Sequence, residues 1–279
     1  MADPTLLVAL KWVDRRPTVD PLTGAVATDS RTSGTSPADD AALEWALRLA
    51  ERWSATVVAA TAGPPGADVV LRDALAAGAH RAVRVDGPVD APSVHVAAGL
   101  VAVATGVGAT MVLCGDMSLD RGSGSVPAFA AAGLGAAQAL GLVAVRPGRP
   151  GELEGWRRLD GGRRERLAVT APFVVSVEGG TARRRRASLL GMQTAAGAVV
   201  EVWSAPTDPT GGPGPAVRGP YRPRPRRVAG PDPNDDVRHR TLALLGPVTT
   251  LTAASTVSLD PEDAAVAILE ALTAWGQFP

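Results

Sequence analysis

Leu6-Leu7-Val8-Ala9-Leu10 closes on Lys11 and carries no polar alternation. A strand buried on both faces reads this way, and such strands belong to parallel sheets covered by helices on each side. The chain then reaches Ser36-Pro37-Ala38-Asp39-Asp40, which has the chemistry of a helix start. The serine caps, the proline takes the first helical position and the carboxylates complement the first turn. In open α/β folds ligands gather where strands end and helices begin, because unpaired N–H groups point there. Lys11 is the only lysine, every other fixed cation being arginine. That bias reads as the imprint of a GC-rich genome, so basic runs carry less functional weight than usual.

The same alternation continues outward. Pro37 to Trp53 bears Ala42, Leu43, Ala46, Leu47, Leu49 and Ala50 at helical spacing, and Ala55–Thr61 reads as the next strand. Gly63-Pro64-Pro65 turns the chain into a helix through Val69, Val70, Ala74 and Leu75, stopped by Gly78. A strand at Ala82–Val85, a helix at Ala91–Ala104 and a strand at Thr110–Cys114 follow. Strands separated by helices imply right-handed crossovers and a parallel sheet. Next comes Gly115-Asp116-Met117-Ser118-Leu119-Asp120-Arg121-Gly122-Ser123-Gly124-Ser125, small and polar, feeding an apolar helix expected over Val126–Leu140. Backbone N–H groups and hydroxyls there suit a phosphate. As a bare pattern it reads equally as an ordinary connection, being neither a Walker loop nor a dinucleotide fingerprint. Leu153–Leu159 and Arg164–Val169 flank Asp160-Gly161-Gly162, a hairpin signal, and Ala171-Pro172 leads to the apolar strand Phe173–Val177. The expected fold is α/β: a Rossmann-like, mostly parallel sheet of the adenine-nucleotide-binding, universal-stress-like kind. An antiparallel hairpin extends it at one edge, and a C-terminal arm follows.

Composition removes several classes of function. The 279 residues carry zero formal net charge and only 20% charged side chains, so no global field draws nucleic acid or anionic lipid. One cysteine, Cys114, excludes an internal disulfide and any multi-thiolate metal site, and His80, His95 and His239 lack metal-ligand spacing. Asp3 and Lys11 interrupt the N-terminal apolar run, which argues against a signal peptide. The Ala/Gly-rich stretches Val96–Cys114 and Ala128–Val145 read as buried helix then strand, not as membrane spans. Arg183-Arg184-Arg185-Arg186 is expected on an exposed turn, as an anion or partner patch or simply a solvated loop. Pro, Gly and Arg dominate from Pro206 to Pro233, which reads as an extended linker. Asp260 then caps a helix bearing Ala265, Ile268, Leu269, Leu272 and Trp275 and ended by Gly276. The expected organisation is an α/β unit over 1–204, a linker over 205–238 and an arm over 239–279.

With these pieces placed, the chain resembles the β subunit of electron transfer flavoprotein over roughly residues 5–200 and again at the C-terminal helix. The resemblance rests on Leu7-Val8-Ala9-Leu10-Lys11-Trp12-Val13, on Ser36–Leu49 in register with the family's Asn-Pro helix, on Leu71–Ala82, and on Gly115 through Val126 continuing to Ala131, Leu134 and Gly135. The arginine-rich form is most similar to actinobacterial variants associated with mycofactocin. The resemblance implies a heterodimer with an α subunit and an FAD held mostly by α. It also implies electron flow from dehydrogenases to a quinone-reducing or other acceptor, with no catalytic residues of the chain's own, in the cytoplasm. It places a structural AMP at Ala9, Ser36, Pro37, Ala38, Asp39, Ala62 and Gly115–Val126, and a docking leucine at Leu189 beside Arg183–Arg186.

The chain departs from the family where Ser36 replaces an asparagine and Ser125 a glutamine, so longer amide contacts to adenine or ribose are lost. Ala182 and the arginines replace the docking motif ahead of Leu189, which implies a different choice of partner. Two other classes share the architecture. A stand-alone nucleotide sensor of universal-stress type needs a glycine-rich phosphate loop that Ser118–Ser125 does not supply. An adenylating enzyme needs a Ser-Gly-Gly loop after the first strand, where Lys11-Trp12-Val13-Asp14 stands.

Overall fold

The computed structural model describes residues 4–205, 231–244 and 258–274. Thr5–Ala9 forms β1. Val13–Asp14 (β2), Thr18–Val19 (β3), Val26–Ala27 (β4) and Ser33–Gly34 (β5) then make two small antiparallel ribbons, β2 on β5 and β3 on β4. The α/β alternation follows as α1 (Pro37–Trp53), β6 (Thr56–Gly63), α2 (Asp68–Ala77), β7 (Arg81–Asp86), α3 (Ser93–Gly106), β8 (Met111–Gly115) and α4 (Ser125–Leu134). The long strand β9 (Ala137–Pro147) leads into the hairpin β10 (Glu152–Arg158) and β11 (Arg164–Thr170), then β12 (Phe173–Val177), α5 (Leu189–Ala196) and β13 (Glu201–Ser204). Helices α6 (Val237–Leu244) and α7 (Pro261–Ala274) complete the described elements.

One nine-stranded sheet runs β11-β10-β9-β12-β8-β1-β6-β7-β13. The pairs from β9 through to β13 are parallel, and β10 is antiparallel to both its neighbours. The mostly parallel α/β fold with a hairpin extension at one edge is therefore the observed architecture. Successive residues of β1 serve opposite faces: Leu6 and Val8 join Leu43, Leu49, Leu71 and Phe173, while Leu7 and Ala9 join Val58, Val83, Leu100 and Val174. Each large apolar side chain buried this way contributes about 1.5–3 kcal/mol, which is why these strands show no polar alternation.

Two sequence expectations need correction. The helix expected to reach Leu140 stops at Leu134, because Gly135 takes a left-handed conformation (φ 58°) and its N–H closes on the Ala131 and Ala132 carbonyls. Ala137 onward, although rich in alanine, becomes β9, since pairing with β12 on one side and β10 on the other outweighs local propensity. Helix α5 and strand β13 were not anticipated. The β-branched Val199, Val200 and Val202 are the legible signal for the strand alone, and Trp203 lies so close to α3 that a Cβ on Gly106 would fall 2.5 Å from its ring.

The chain divides into two compact units, 1–221 and 222–279. In the second, Asp236 accepts the N–H groups of Arg238 and His239 at the start of α6, inside the expected linker. Asp260 accepts those of Glu262 and Asp263 at the start of α7, as its capping chemistry implied. Stretch 206–230 and the expected helix-closing Trp275 and Gly276 lie outside the described residues.

Phe173 is fully buried on β12 between β8 and β9. Replacing it by alanine removes its packing and leaves a cavity, so Phe173→Ala is expected to lower unfolding free energy by about 3–5 kcal/mol in a denaturant titration.

Candidate functional site

Strands β1, β6 and β8 are neighbours in the sheet and end at Ala9, Gly63 and Gly115, and the chain's order across the sheet reverses at β1. Such a reversal leaves a crevice outside the strand ends. The cleft here encloses about 760 Å³ including its open mouth. Of the residues singled out from sequence, Ala9, Asp39, Ala62, Gly115, Asp116, Met117, Ser118, Arg121, Ser123, Gly124, Ser125 and Val126 line it. Buried Ser36 and Ala38 and exposed Pro37 stand behind it at the start of α1, while Leu119, Asp120 and Gly122 shape the loop without lining the cleft. Sequence reasoning missed Lys11 and, among other liners, Val89, Ser93 and Val96. Lys11 was legible as the residue that ends β1. The last three come from the connection after β7, whose approach only the sheet order reveals.

The floor of the cleft is built from the first turn of α1. Ser36 caps the helix by accepting the Asp39 N–H at 3.1 Å, with Pro37 at the first helical position. This orients Asp39 toward the sheet, where its Oδ2 accepts the Lys11 backbone N–H at 3.2 Å. The end of β8 presses so closely that a Cβ on Gly115 would fall 2.7 Å from Asp39 Oδ1 and 3.0 Å from the Ala38 carbonyl carbon. Burial pushes the Asp39 carboxyl up to about 7, against the opposing hydrogen bonds from Lys11 and Ser36. Burial, then the Asp39 charge, pushes the Cys114 thiol up to about 12, so it stays neutral and unreactive.

The loop above the floor is held by its own polar groups. The Asp116 N–H donates to the Val177 carbonyl at 3.0 Å, and Gly122 N–H closes a turn on Ser118 O at 2.9 Å. The Lys11 ammonium grips both Asp120 oxygens at 2.6 Å and reaches Ser118 Oγ at 3.4 Å. Burial alone would raise Asp120, but the Lys11 bond holds it below the usual carboxylate range. Arg121 donates to the Ala91 carbonyl at 2.7 Å across the cleft mouth. Gly124, at φ 57°, caps α4 and has no side chain to offer that helix's first turn, while Ser123 and Ser125 hydroxyls sit 3.0 Å apart beside it. An uncapped helix start flanked by two hydroxyls is a donor set for an anion.

A second candidate surface surrounds α5. Leu189 is 79% exposed, Leu190 72% and Met192 50%. The expectation of a wholly exposed arginine turn is corrected: Arg184 pairs with Asp40 at 3.0 Å, and Arg185 pairs with Glu44 at 3.0 Å and with Glu51. Arg183 and Arg186 stay exposed. Two of the four arginines thus clamp the segment ahead of α5 to α1, because buried Glu44 requires a counter-charge. Among the described residues no cluster of His, Cys, Asp and Glu has metal-binding geometry, and no helix is long and apolar enough to cross a membrane.

Residues 23–208 match the electron transfer flavoprotein domain family. The chain is 32% identical over 174 residues to electron transfer flavoprotein subunit beta of Methylophilus methylotrophus, covering 58% of this chain and 64% of that protein. It is 29% identical over 197 residues to protein FixA of Bradyrhizobium diazoefficiens, covering 67% of this chain and 68% of the relative. It is 31% identical over 205 residues to protein FixA of Azorhizobium caulinodans, covering 67% and 69%. The chain thus spans just under two thirds of the first of these relatives.

Gly124→Ala forces a side chain into a left-handed conformation and places its Cβ 2.8 Å from the Asp116 carbonyl oxygen. A loss of about 1–3 kcal/mol in unfolding free energy is expected. The Glu44 clamp predicts a pH signature. Burial alone would raise the Glu44 carboxyl, but hydrogen bonds from Arg185 and Arg48 win and hold it below its ordinary value. Its contribution is therefore present above the ordinary carboxylate pKa and lost as pH falls through the lowered one. Glu44→Gln is expected to cost about 1.5–3 kcal/mol at neutral pH, the gap from wild type closing on acidification in parallel urea titrations.

Proposed function

The chain belongs to the electron transfer flavoprotein family, on its β-subunit side, and from that premise we propose that it is the β half of a heterodimer whose α subunit holds most of an FAD. In this reading the pair works in the cytoplasm, taking electrons from dehydrogenases and passing them to a quinone-reducing or other acceptor. FAD supplies the redox chemistry when bound, and the chain contributes binding and docking rather than catalytic residues of its own. The arm beyond the linker, whose α7 exposes Val266, Ile268 and Leu269, lies against the partner chain.

The observation that carries the proposal is the cleft. Ala9, Asp39, Ala62 and the Gly115–Val126 loop are distant in sequence, belong to four separate elements and converge on one crevice. Its donors fit a nucleotide phosphate: the uncapped first turn of α4, the Ser123 and Ser125 hydroxyls, and Arg121 at the mouth. Lys11 neutralises Asp120, which would otherwise oppose an anion there. We assign the cleft to an adenine nucleotide of the AMP class. No residue of this chain is assigned to FAD. Leu189, carried on a helix clamped by Arg184 and Arg185, is the anchor offered to a dehydrogenase.

Co-expression with the α subunit is expected to give a yellow heterodimer with stoichiometric FAD, and denaturation to release a nucleotide identifiable by mass spectrometry. Ser123→Asp or Ser125→Asp places a carboxylate against the phosphate and is expected to empty the cleft without removing flavin. A flavin-loaded monomer from this chain alone, or equal nucleotide content in wild type and variants, would overturn the assignment. Leu189→Ala is expected to slow electron transfer from the dehydrogenase by more than about tenfold, since truncating a buried anchor costs about 2 kcal/mol or more. Flavin content and melting temperature should be unchanged.

A further inference from the structure

Asp39 is an acid at the floor of a cleft whose other donors suit an anion. Its residue is only 6% exposed, yet it lines the cleft beside Gly115, in the same crevice as the first turn of α4. The groups that face it leave its charge uncompensated. Lys11 offers Asp39 a backbone N–H, but its ammonium is committed to Asp120 and Ser118. The neighbouring Asp40 carboxyl adds like charge and is itself taken by Thr35 and Arg184. From β8, Cys114 presents a neutral thiol, and Asp116 just beyond it is a second carboxyl, raised by its own burial and by Glu178. Among the described residues no lysine or arginine forms an ion pair with Asp39, although nearly every other acid around the cleft has one or lies nearer solvent.

We infer that the cleft accepts its nucleotide only with Asp39 as the neutral carboxylic acid, so that a proton binds together with the nucleotide and Asp39 becomes a hydrogen-bond donor on the floor. The inference rests on the nucleotide reading of the cleft and adds its regulation. A carboxylate and a phosphate sharing a water-poor crevice repel each other, whereas the protonated acid presents an O–H that a phosphate or ribose oxygen accepts. Burial has already lifted the carboxyl to about 7 before any ligand arrives. A bound anion lifts it further. The sign follows: below about pH 7 Asp39 is protonated in both states and affinity does not depend on it. Above that pH the free protein must take up a proton to bind, and affinity falls by up to tenfold per pH unit. The effect is confined to this chain's own residue, because an asparagine there would be a neutral donor at every pH.

The test uses the full chain purified with its α subunit and stripped of nucleotide. AMP is titrated by calorimetry between about pH 6 and 9, in two buffers of different ionisation enthalpy. The phosphate of AMP titrates near pH 6 and contributes equally to wild type and variant, so the comparison isolates Asp39. Wild type is expected to lose close to tenfold in affinity per unit above about pH 7.5 and to take up nearly one proton per AMP. Asp39→Asn is expected to bind AMP with an affinity flat over that range and with no proton uptake. Wild type that binds AMP with flat affinity and no proton uptake would overturn the inference while leaving the nucleotide reading in place. So would a variant that keeps the wild-type slope. The wild-type proton uptake decides the matter alone if the variant does not fold. AMP binding to neither protein at any pH would overturn the nucleotide reading, and this inference with it.

Discussion

The structure depends on strands that are buried on both faces. Leu6, Leu7 and Val8 on β1, with Val112, Leu113 and Val174 beside them, are essentially inaccessible to solvent. A polar side chain carried along such a strand has a desolvation cost unless it is bonded, as Ser176 and Arg84 are. Chemistry is therefore expelled to the strand ends, where the backbone pairing of the sheet stops and the helix N-termini begin. The cleft is the outcome of that exclusion rather than an addition to it. Ala9, Ala62 and Gly115 are small because the backbone itself forms the wall.

Close approach does the rest. The start of α1 leans so tightly on the end of β8 that position 115 admits no side chain, and this fixes Asp39 against the sheet. The loop that follows is not free either: Lys11 reaches from the end of β1 to Asp120, and Asp116 is tied to the end of β12. Three neighbouring strands thus set the position of one loop. The uncapped turn of α4 faces the crevice as a consequence. A lone lysine in a chain otherwise reliant on arginine gains a structural rationale here, since a compact ammonium fits between Asp120 and Ser118 where a planar fork would need more room.

The surface around α5 follows a different logic. Its exposed leucines and methionine are apolar area that a monomer rarely keeps without use. The helix that carries them packs on α2 through Gly191 and buried Ala195, and the segment ahead of it is anchored by charge. Buried Glu44 draws Arg185 onto α1, and Asp40 draws Arg184, so the basic run is spent largely inside the subunit. An arginine run in sequence reads as a field offered to partners. Its partners here are carboxylates about 140 residues earlier.

What the sequence by itself determined is what local chemistry controls. The unbroken apolar run at Leu6–Leu10 specified a doubly covered parallel strand, Ser36-Pro37 specified the start of α1, and Asp160-Gly161-Gly162 specified the hairpin. Each is read within a few residues of where it acts, and the family pattern of the Gly115–Val126 loop rests on the same short-range signals. Tertiary structure alone decided the matters that depend on distant pairing. Ala137–Leu140 reads as the end of a helix, and only its place beside β12 made it the start of a strand. Glu201–Ser204 became the sheet's far edge because β7 was waiting for it. Asp39 read as a helix-start carboxylate, yet burial beside Gly115 turned it into an acid that titrates near neutrality. The reason is common to all three: propensity and capping energies are set by neighbours in the chain, whereas desolvation and strand pairing are set by neighbours in space.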